Sequence, residues 1–364
     1  MEKIKNIGFL PAYKPKLKNK VFSNKGDNDL HQPFIFLKED LYNSGIKLNT
    51  IDYYKDCNEI ELLIVSRYEM NLKILFKLIK ENPKIKILHL STEEISIAPT
   101  QSKEFLSCGL FDRVLVWRDN EIDDNLFFKY YYMTSSRIYN QNNKSRNLLC
   151  MINKYQPNRF RSKHNIYNER TKIVEFFRNN SKFHLYGYNW SEYDLSLKNY
   201  KGVTKSKIET YLKYDFSFVF ENSNNEFGGI TEKIWDSLAT GCIPIYYGVP
   251  NVDKYIPKKC FIDYREFENL GDLYNYLKKM TLKEKNEIRK TIKMFLNSNS
   301  YKKFTPEGFS KTMKRNINEM EKIKVIPKNL FKIKFYLIKK IFKYKISIMK
   351  NKRFFINLFV SKYF

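Results

Sequence analysis

Short runs of Ile, Leu, Val and Phe recur along the chain, and segments of helical spacing separate them. KNIGFL (5–10), IELLIVS (60–66), KIKILHLS (84–91) and DRVLVW (112–117) have the length and β-branched content of buried strands. Residues 33–44, 69–81 and 101–107 between them repeat apolar side chains at helical intervals. A chain built this way has few solutions, because each strand must be covered on both faces by the helices that link it to the next. The result is an α/β fold with a parallel sheet. NQNNKSRN (140–147) is polar and turn-prone, and after it the alternation restarts. Strands are predicted at 147–153, 182–187, 214–220 and 242–248. Helices are predicted at 167–179, 204–213, 230–240, 270–279, 282–297 and 307–321. Two successive units of this size imply two Rossmann-like domains facing each other across a cleft. The divisions expected are 1–145, 146–325 and a tail at 326–364.

The tail is where composition matters. The 364-residue chain carries a net charge of +27, yet Lys322 to Phe364 alone holds 13 Lys and Arg and no acid. Such an asymmetry implies an anionic partner surface. On a helix through 330–350, Lys332, Lys339, Lys343 and Lys350 fall on one line. Phe331, Leu337, Ile338, Ile341, Phe342, Ile348 and Met349 fill a broad arc opposite, interrupted by Lys334 and Lys345. That pattern suits a basic amphipathic helix lying in a lipid interface, on the anionic inner leaflet. The competing expectation is a helix that docks its apolar face on the protein itself. A nucleic-acid partner is not expected, since the basic excess sits in an aliphatic-rich tail and not on a platform interleaved with aromatics.

The opening MEKIKNIGFLPAYK lacks the apolar stretch of a signal peptide, and no run is long enough to span a bilayer. The five cysteines (Cys57, Cys108, Cys150, Cys242, Cys260) are scattered, without a Cys-x-x-Cys pair. Disulfides and a zinc site are therefore not expected, and a cytoplasmic, peripherally membrane-associated protein is.

The chemistry concentrates in FENSNNEFGGITEKIWDSLATGCIPIYYG, residues 220–248. Glu221, Asn222 and Ser223 follow the carboxyl end of a strand, the edge at which parallel α/β sheets bind ligands. Gly228 and Gly229 permit close backbone approach. Thr231 stands where it can cap the next helix, with Glu232 and Lys233 beside its first turn. A helix start attracts anions, and Lys233 adds a full charge, so a diphosphate fits. Glu232 is an acceptor suited to the paired hydroxyls of a ribose. Together these groups describe a nucleotide-sugar site.

The block FENSNNEFGGITEKIWDSLATGCIPIYYGVPNVDKYIPKKCFI (220–262) closely resembles the signature of the fucosyltransferases of glycosyltransferase family ten, bacterial type. A weaker likeness extends over most of 85–280. The resemblance implies a two-Rossmann (GT-B) fold, with an N-terminal acceptor domain and a C-terminal donor domain. It implies GDP-fucose as donor and inversion at the anomeric carbon, giving an α-1,3 link to GlcNAc or a related sugar. By position, Asn222 and Glu232 would contact the donor and Lys233 would hold the diphosphate. Arg170 would be a second phosphate clamp, and Lys205 a weaker candidate. Glu221, Ser223, Phe227, Gly229 and Thr231 complete the expected donor set.

Two departures stand out. Asp215 occupies a position where the family has Lys. Gly229 stands where an aromatic is common, with Phe227 nearby and one extra loop residue. A related GDP-sugar is therefore the alternative donor. For the base that inversion requires, KIKILHLSTEEISIAP resembles the family's strand and catalytic loop; Glu93 aligns best and Glu94 next. Desolvation at the strand end would raise either carboxyl. Asp27-x-Asp29 is the one metal-like pair, and His31, His89, His164 and His184 lack ligand spacing. Metal-independent chemistry, with no cofactor beyond the donor, is expected. The acceptor is a glycan, free or lipid-linked, in bacterial surface glycosylation such as lipopolysaccharide.

Overall fold

The computed structural model of the chain describes residues 3–23, 31–132, 134, 138–139, 146–157 and 164–350, without the side chains of Lys14 and residues 345–350. The Asp27-x-Asp29 pair, the boundary residues 140–145 and the side chains of Lys345, Ile348, Met349 and Lys350 lie outside the described residues. The chain divides into two compact units. One comprises Met1–Gly26, Phe34–Tyr130 and Ser310–Phe364; the other comprises Asp27–Pro33 and Tyr131–Phe309.

In the first unit six strands form one parallel sheet: β1 (Asn6–Leu10), β2 (Lys47–Thr50), β3 (Leu62–Ser66), β4 (Lys86–Leu90), β5 (Arg113–Val116) and β6 (Phe127–Lys129). Their order is β2-β1-β3-β4-β5-β6. The predicted strands fall on β1, β3, β4 and β5, whose Ile, Leu, Val and Phe side chains are buried. β2 and β6, at the two edges, were not predicted, because KLNT and FFK are too short or too polar to show a period. Helices α1 (Gln32–Asn43), α2 (Leu72–Glu81) and α3 (Lys103–Leu106) link the strands. α2 buries Leu72, Leu75, Phe76, Leu78 and Ile79.

The second unit holds β7 (Asn147–Ile152), β8 (Phe183–Tyr186), β9 (Tyr214–Phe220), β10 (Ile243–Tyr247) and β11 (Ile262–Asp263), parallel in the order β11-β10-β9-β7-β8. Its helices are α4 (Tyr167–Phe176), α5 (Trp190–Tyr193), α6 (Lys207–Tyr211), α7 (Glu232–Ala239), α8 (Leu270–Lys279), α9 (Leu282–Leu296) and α10 (Asn299–Lys302). After β7 the chain first builds outward to β8, then returns to lay β9 on the other flank of β7. The reversal makes the carboxyl ends of β7 and β9 a topological switch point, the crevice where open α/β sheets bind ligands.

The divisions differ from 145/146 and 325/326, for a visible reason. α11 (Pro306–Lys322) and α12 (Leu330–Lys350) are the last elements among the described residues, and from Ser310 the described residues belong to the first unit. Arg113 donates to Asn316 Oδ1 at 2.7 Å, and Lys86 Nζ donates to the Met320 carbonyl at 2.7 Å. Ser310 Oγ and Lys314 Nζ reach the two oxygens of Asp40 at 2.5 and 2.9 Å. In α12, Ile333 and Leu337 are buried in the same apolar cluster as Phe76, Ile79, Phe105 and Leu106. The expected single apolar arc is thus split. Leu337, and partly Ile341, turn onto the protein, while Phe331, Ile338 and Phe342 stay exposed. Docking on the protein, the competing expectation for this helix, accounts for its inner face. No helix among the described residues is long and apolar enough to cross a membrane.

Candidate functional site

The site begins with Glu221, the first residue beyond β9. Its N–H continues the ladder to the Tyr247 carbonyl at 2.9 Å, and its side chain is 1% exposed. The carboxylate turns inward and organises the loop. Oε1 accepts from the Thr231 N–H at 3.1 Å, and Oε2 accepts from Thr231 Oγ1 at 2.6 Å and Lys233 Nζ at 3.2 Å. Lys233 also donates to Thr231 Oγ1 at 2.9 Å. Thr231 does stand at the N-cap of α7, in extended conformation, but its hydroxyl makes no cap hydrogen bond; Glu221 has claimed it. The close fit explains Gly248. A Cβ there would lie 2.5 Å from Glu221 Cγ and 2.6 Å from the Tyr246 hydroxyl.

α7 is held on the sheet by Ile234, Trp235 and Leu238, all buried. Its start therefore points rigidly at the strand ends. Lys233 remains 20% exposed, as does Glu232, whose Oε1 lies 3.9 Å away. Burial by itself would push the Glu232 carboxyl up, but Lys233, with Lys207 on α6, overcomes this and holds it below the usual range. Glu232 is thus an ionised acceptor beside a cation at a helix start. Lys207, which the sequence reading missed, also pairs with Asp236 at 3.6 Å. Its sign was visible in the sequence; its proximity depended on where α6 lands. Lys205 sits two residues earlier, exposed on the loop leading into α6.

Arg170 is neither a solvated helix-face residue nor an exposed arm. It is buried in α4, and its Nη2 donates to the carbonyls of Phe220 (2.8 Å) and Glu221 (2.7 Å) and to Asn222 Oδ1 (3.2 Å). Its guanidinium lies over the Tyr167 ring at 4.4 Å, and the Tyr167 hydroxyl donates to the same Asn222 oxygen at 3.1 Å. The two side chains fix the strand end and orient Asn222. Ser223 pairs in an isolated antiparallel bridge with Asn165, and its buried hydroxyl has no partner among the described residues. An orphaned hydroxyl at a switch point suits a ligand with acceptor oxygens. Asn224 Nδ2 donates to the Tyr247 hydroxyl at 2.9 Å, and Gly228, at φ +76°, donates its N–H to Asn251 Oδ1 at 2.9 Å. Gly229 is buried, its N–H bonded to the Glu226 carbonyl at 2.9 Å, and Phe227 is 42% exposed on the loop. Phe220, Tyr247 and Tyr264 pack with ring centroids 5.0–5.4 Å apart along the same edge. The sequence reading did not single out Tyr247 or Tyr264.

In the first unit Glu93 and Glu94 follow β4, also at a carboxyl end. The side chain of Glu93 is 32% exposed, with Oε1 3.7 Å from Arg67 Nη1. Glu94 is buried and accepts from Ser96 Oγ at 3.3 Å. Arg67 adopts a left-handed backbone (φ +52°), a conformation costly for a non-glycine residue and concentrated at functional positions. It also pairs with Glu69. Glu69 accepts from Gln101 at 2.9 Å, and Gln101 in turn meets His89 Nε2 at 3.0 Å. Arg118, buried, pairs with Glu121 at 2.7 Å and donates to the Gln101 carbonyl at 2.5 Å. This polar network beneath the β3 and β4 ends was not legible in the sequence, because its members are spread from residue 67 to 121. Among the described residues no cluster of His, Cys, Asp or Glu is arranged to hold a metal.

Two parallel sheets, the second with a lysine-bearing helix start at its switch point, define a chain of the GT-B fold. Residues 144–305 match glycosyltransferase family 10 (fucosyltransferase), C-terminal part, and the chain carries that family's C-terminal domain. It is 37% identical over 84 residues to the alpha-(1,3)-fucosyltransferase FucT of Helicobacter pylori, covering 23% of this chain and 17% of that protein. To the 4-galactosyl-N-acetylglucosaminide 3-alpha-L-fucosyltransferase 9 of Bos taurus it is 28% identical over 200 residues, 53% of this chain and 47% of that one. The chain thus spans less than half the length of these curated relatives. A solved alpha1,3-fucosyltransferase shares the fold at a TM-score of 0.53 and 15% identity, over 87% of this chain and 90% of the other. A structure described as alpha1,3-fucosyltransferase with GDP-fucose aligns at 0.50 and 15% identity, over 90% and 94%.

Proposed function

We propose that this protein is an inverting glycosyltransferase that moves fucose from GDP-fucose to a glycan hydroxyl, forming an α-1,3 link to GlcNAc or a related sugar. The observation that carries the reading is the start of α7, where Glu221 fixes Thr231 and Lys233 at the switch point beside an ionised Glu232. Lys233 and the positive end of the helix dipole favour the diphosphate, and Glu232 accepts from the ribose diol. The Ser223 hydroxyl supplies a further donor, and Asn222 is presented by Arg170 and Tyr167. The acceptor oxygen bonds to C1 as the C1–O bond to the diphosphate breaks, and GDP leaves with the electron pair. The acceptor's proton passes to Glu93, with Glu94 as the alternative base. Transfer is proposed to be metal-independent, with Lys233, Lys207 and the helix start facing the diphosphate. The acceptor belongs to a bacterial surface glycan such as lipopolysaccharide, carried on lipid. The enzyme meets it at the inner face of the membrane through its basic C-terminal region.

A second reading, transfer from another GDP-sugar, draws on Gly229 and the exposed Phe227, which alter the loop where the family pattern has an aromatic. Full-length protein incubated with a panel of labelled nucleotide sugars and a glycan array separates the two. Fucose transfer from GDP-fucose alone, undiminished by EDTA, is expected. Transfer from a different GDP-sugar selects the second reading, and calorimetry in which GDP binds no better to wild type than to Lys233→Ala rejects both.

A further inference from the structure

Arg67 follows β3 in a left-handed backbone (φ +52°, ψ +58°), and its side chain is only 14% exposed. It lies between two carboxylates. Nε donates to Glu69, and Nη1 stands 3.7 Å from Glu93 Oε1. The Glu69 contact is fixed from beneath. Gln101, fully buried, donates from Nε2 to Glu69 Oε2 at 2.9 Å and accepts at Oε1 from His89 Nε2 at 3.0 Å. With donor and acceptor both engaged, its amide stands one way round. Arg118, also buried, donates to the Gln101 carbonyl at 2.5 Å and pairs with Glu121 at 2.7 Å. The series His89, Gln101, Glu69, Arg67 therefore runs outward from buried β4, each member setting the direction of the next. It ends in a guanidinium with one edge engaged by Glu69 and another turned to Glu93.

We infer that Arg67 is a positioning residue for the transfer, holding the Glu93 carboxylate at the β4 end and keeping it ionised to receive the acceptor's proton. The inference rests on Glu93 as the base and names the group through which that base is held. It also separates Glu93 from Glu94, which is buried and accepts from Ser96 Oγ at 3.3 Å. A non-glycine residue in the left-handed region is costly and persists where its surroundings over-determine it. The carboxylates on either side of Arg67, with Gln101 behind one of them, supply that determination. At 3.7 Å the contact with Glu93 is an ion pair beyond hydrogen-bond length. The cation thus favours the charged carboxylate without making a short bond to that oxygen. Arginine suits the place because its rigid planar fork engages one acid and faces a second at a set angle, which a lysine ammonium does not. Around the pair, the Tyr130 hydroxyl donates to the Ser91 carbonyl within reach of the Glu93 charge, and Tyr13 lies beside Arg67. Arg118, beneath, is already paired with Glu121.

The test uses the full chain with GDP-fucose and, as soluble acceptor, the glycan of the array that takes fucose best. Arg67→Asn removes the guanidinium while keeping a side chain that tolerates the left-handed region. Its kcat is expected to fall about tenfold or more, with the KM for GDP-fucose within about twofold of wild type. The acidic limb of kcat/KM should move about one pH unit higher, because without the cation the base takes up its proton at higher pH. Arg67→Gly, free of backbone strain, gives the same reading if Arg67→Asn melts well below wild type. Arg67→Lys keeps the charge and loses the fork, so its limb should stay near wild type while kcat falls. Glu93→Gln should lower kcat at least about a hundredfold, and Arg67→Asn on top of it should add little, since the two act as a unit. Wild-type kcat and an unmoved limb in Arg67→Asn and Arg67→Gly would overturn the inference, while an inactive Glu93→Gln upholds the base. A loss in Arg67→Asn that leaves the limb in place, or that persists in full beside Glu93→Gln, would make Arg67 structural and overturn it too. Glu93→Gln that turns over like wild type, or wild type that transfers fucose to no glycan, overturns the functional reading and the inference together.

Discussion

Glu221 organises the candidate site from beneath its surface. Its two oxygens hold the N–H and hydroxyl of Thr231 and the ammonium of Lys233, and the carboxylate is fully enclosed. Glu221→Gln keeps the volume but presents an NH₂ group to one set of donors. Lys233 then loses its anchor and the start of α7 loosens. GDP affinity is expected to fall about tenfold, roughly 1.4 kcal/mol, with a stability loss of about 1–3 kcal/mol. Calorimetry that finds GDP affinity unchanged would reduce Glu221 to a packing residue. His89 makes the second residue-scale case. Fully buried on β4, it is pushed down to about 4 by desolvation, against a hydrogen bond it donates to Gln101 Oε1 that favours the charged form. The unfolded chain protonates near the ordinary value of about 6.5. The unfolded state therefore binds more protons between those two values, and folding weakens as pH falls through the window. About 2 kcal/mol should be lost by pH 5 relative to neutrality. Denaturant midpoints at pH 7 and 5 check this, and His89→Gln should flatten the difference.

At the scale of elements, legibility followed burial. β9 was predicted to the residue, because YDFSFVF sets an aromatic at every second position and is bounded by polar residues. The prediction also holds within a residue or two for β1, β3, β4, β5, β7, β8 and β10. β2, β6 and β11 are edge strands of two to four residues, too short for a period to register. α9 explains a departure from the family pattern. Asp215, where the family has Lys, pairs with Lys285 at 2.7 Å and with Arg289, both on α9. The acid at the base of β9 is thus held by two cations of α9. For the candidate site, FENS and TEK carry the residue types and their order. They do not carry the direction of each side chain. Arg170 and Glu221 lie inward because the strand end needs partners for its carbonyls and Lys233 needs an anchor, and such demands arise only once β9, α4 and α7 are packed.

At the scale of the whole chain, the last helices belong to the first unit. The sequence suggested a detachable tail beginning near residue 326, because nothing in a basic amphipathic pattern tells which apolar positions will meet protein. The structure divides them by rotation: Ile333 and Leu337 inward, Phe331 and Phe342 outward. Lys328, with its side chain 4% exposed, adds an ion pair to Asp112 at 2.8 Å. Truncation at Pro327 therefore removes part of the first unit's core. Losing the buried Ile333 and Leu337 forfeits about 1.5–3 kcal/mol each, and Phe76, Ile79 and Phe105 lose their cover. For a domain whose total stability is about 5–15 kcal/mol this is a large fraction. The truncated protein is expected to melt markedly lower in its first unit and to bind a hydrophobic dye. GDP binding at the β9–α7 loop should persist, because Glu221, Thr231 and Lys233 draw no support from the removed residues. A truncated chain that melts with wild type would mean that the inner face of α12 contributes nothing, and lost GDP binding would mean that the second unit depends on it.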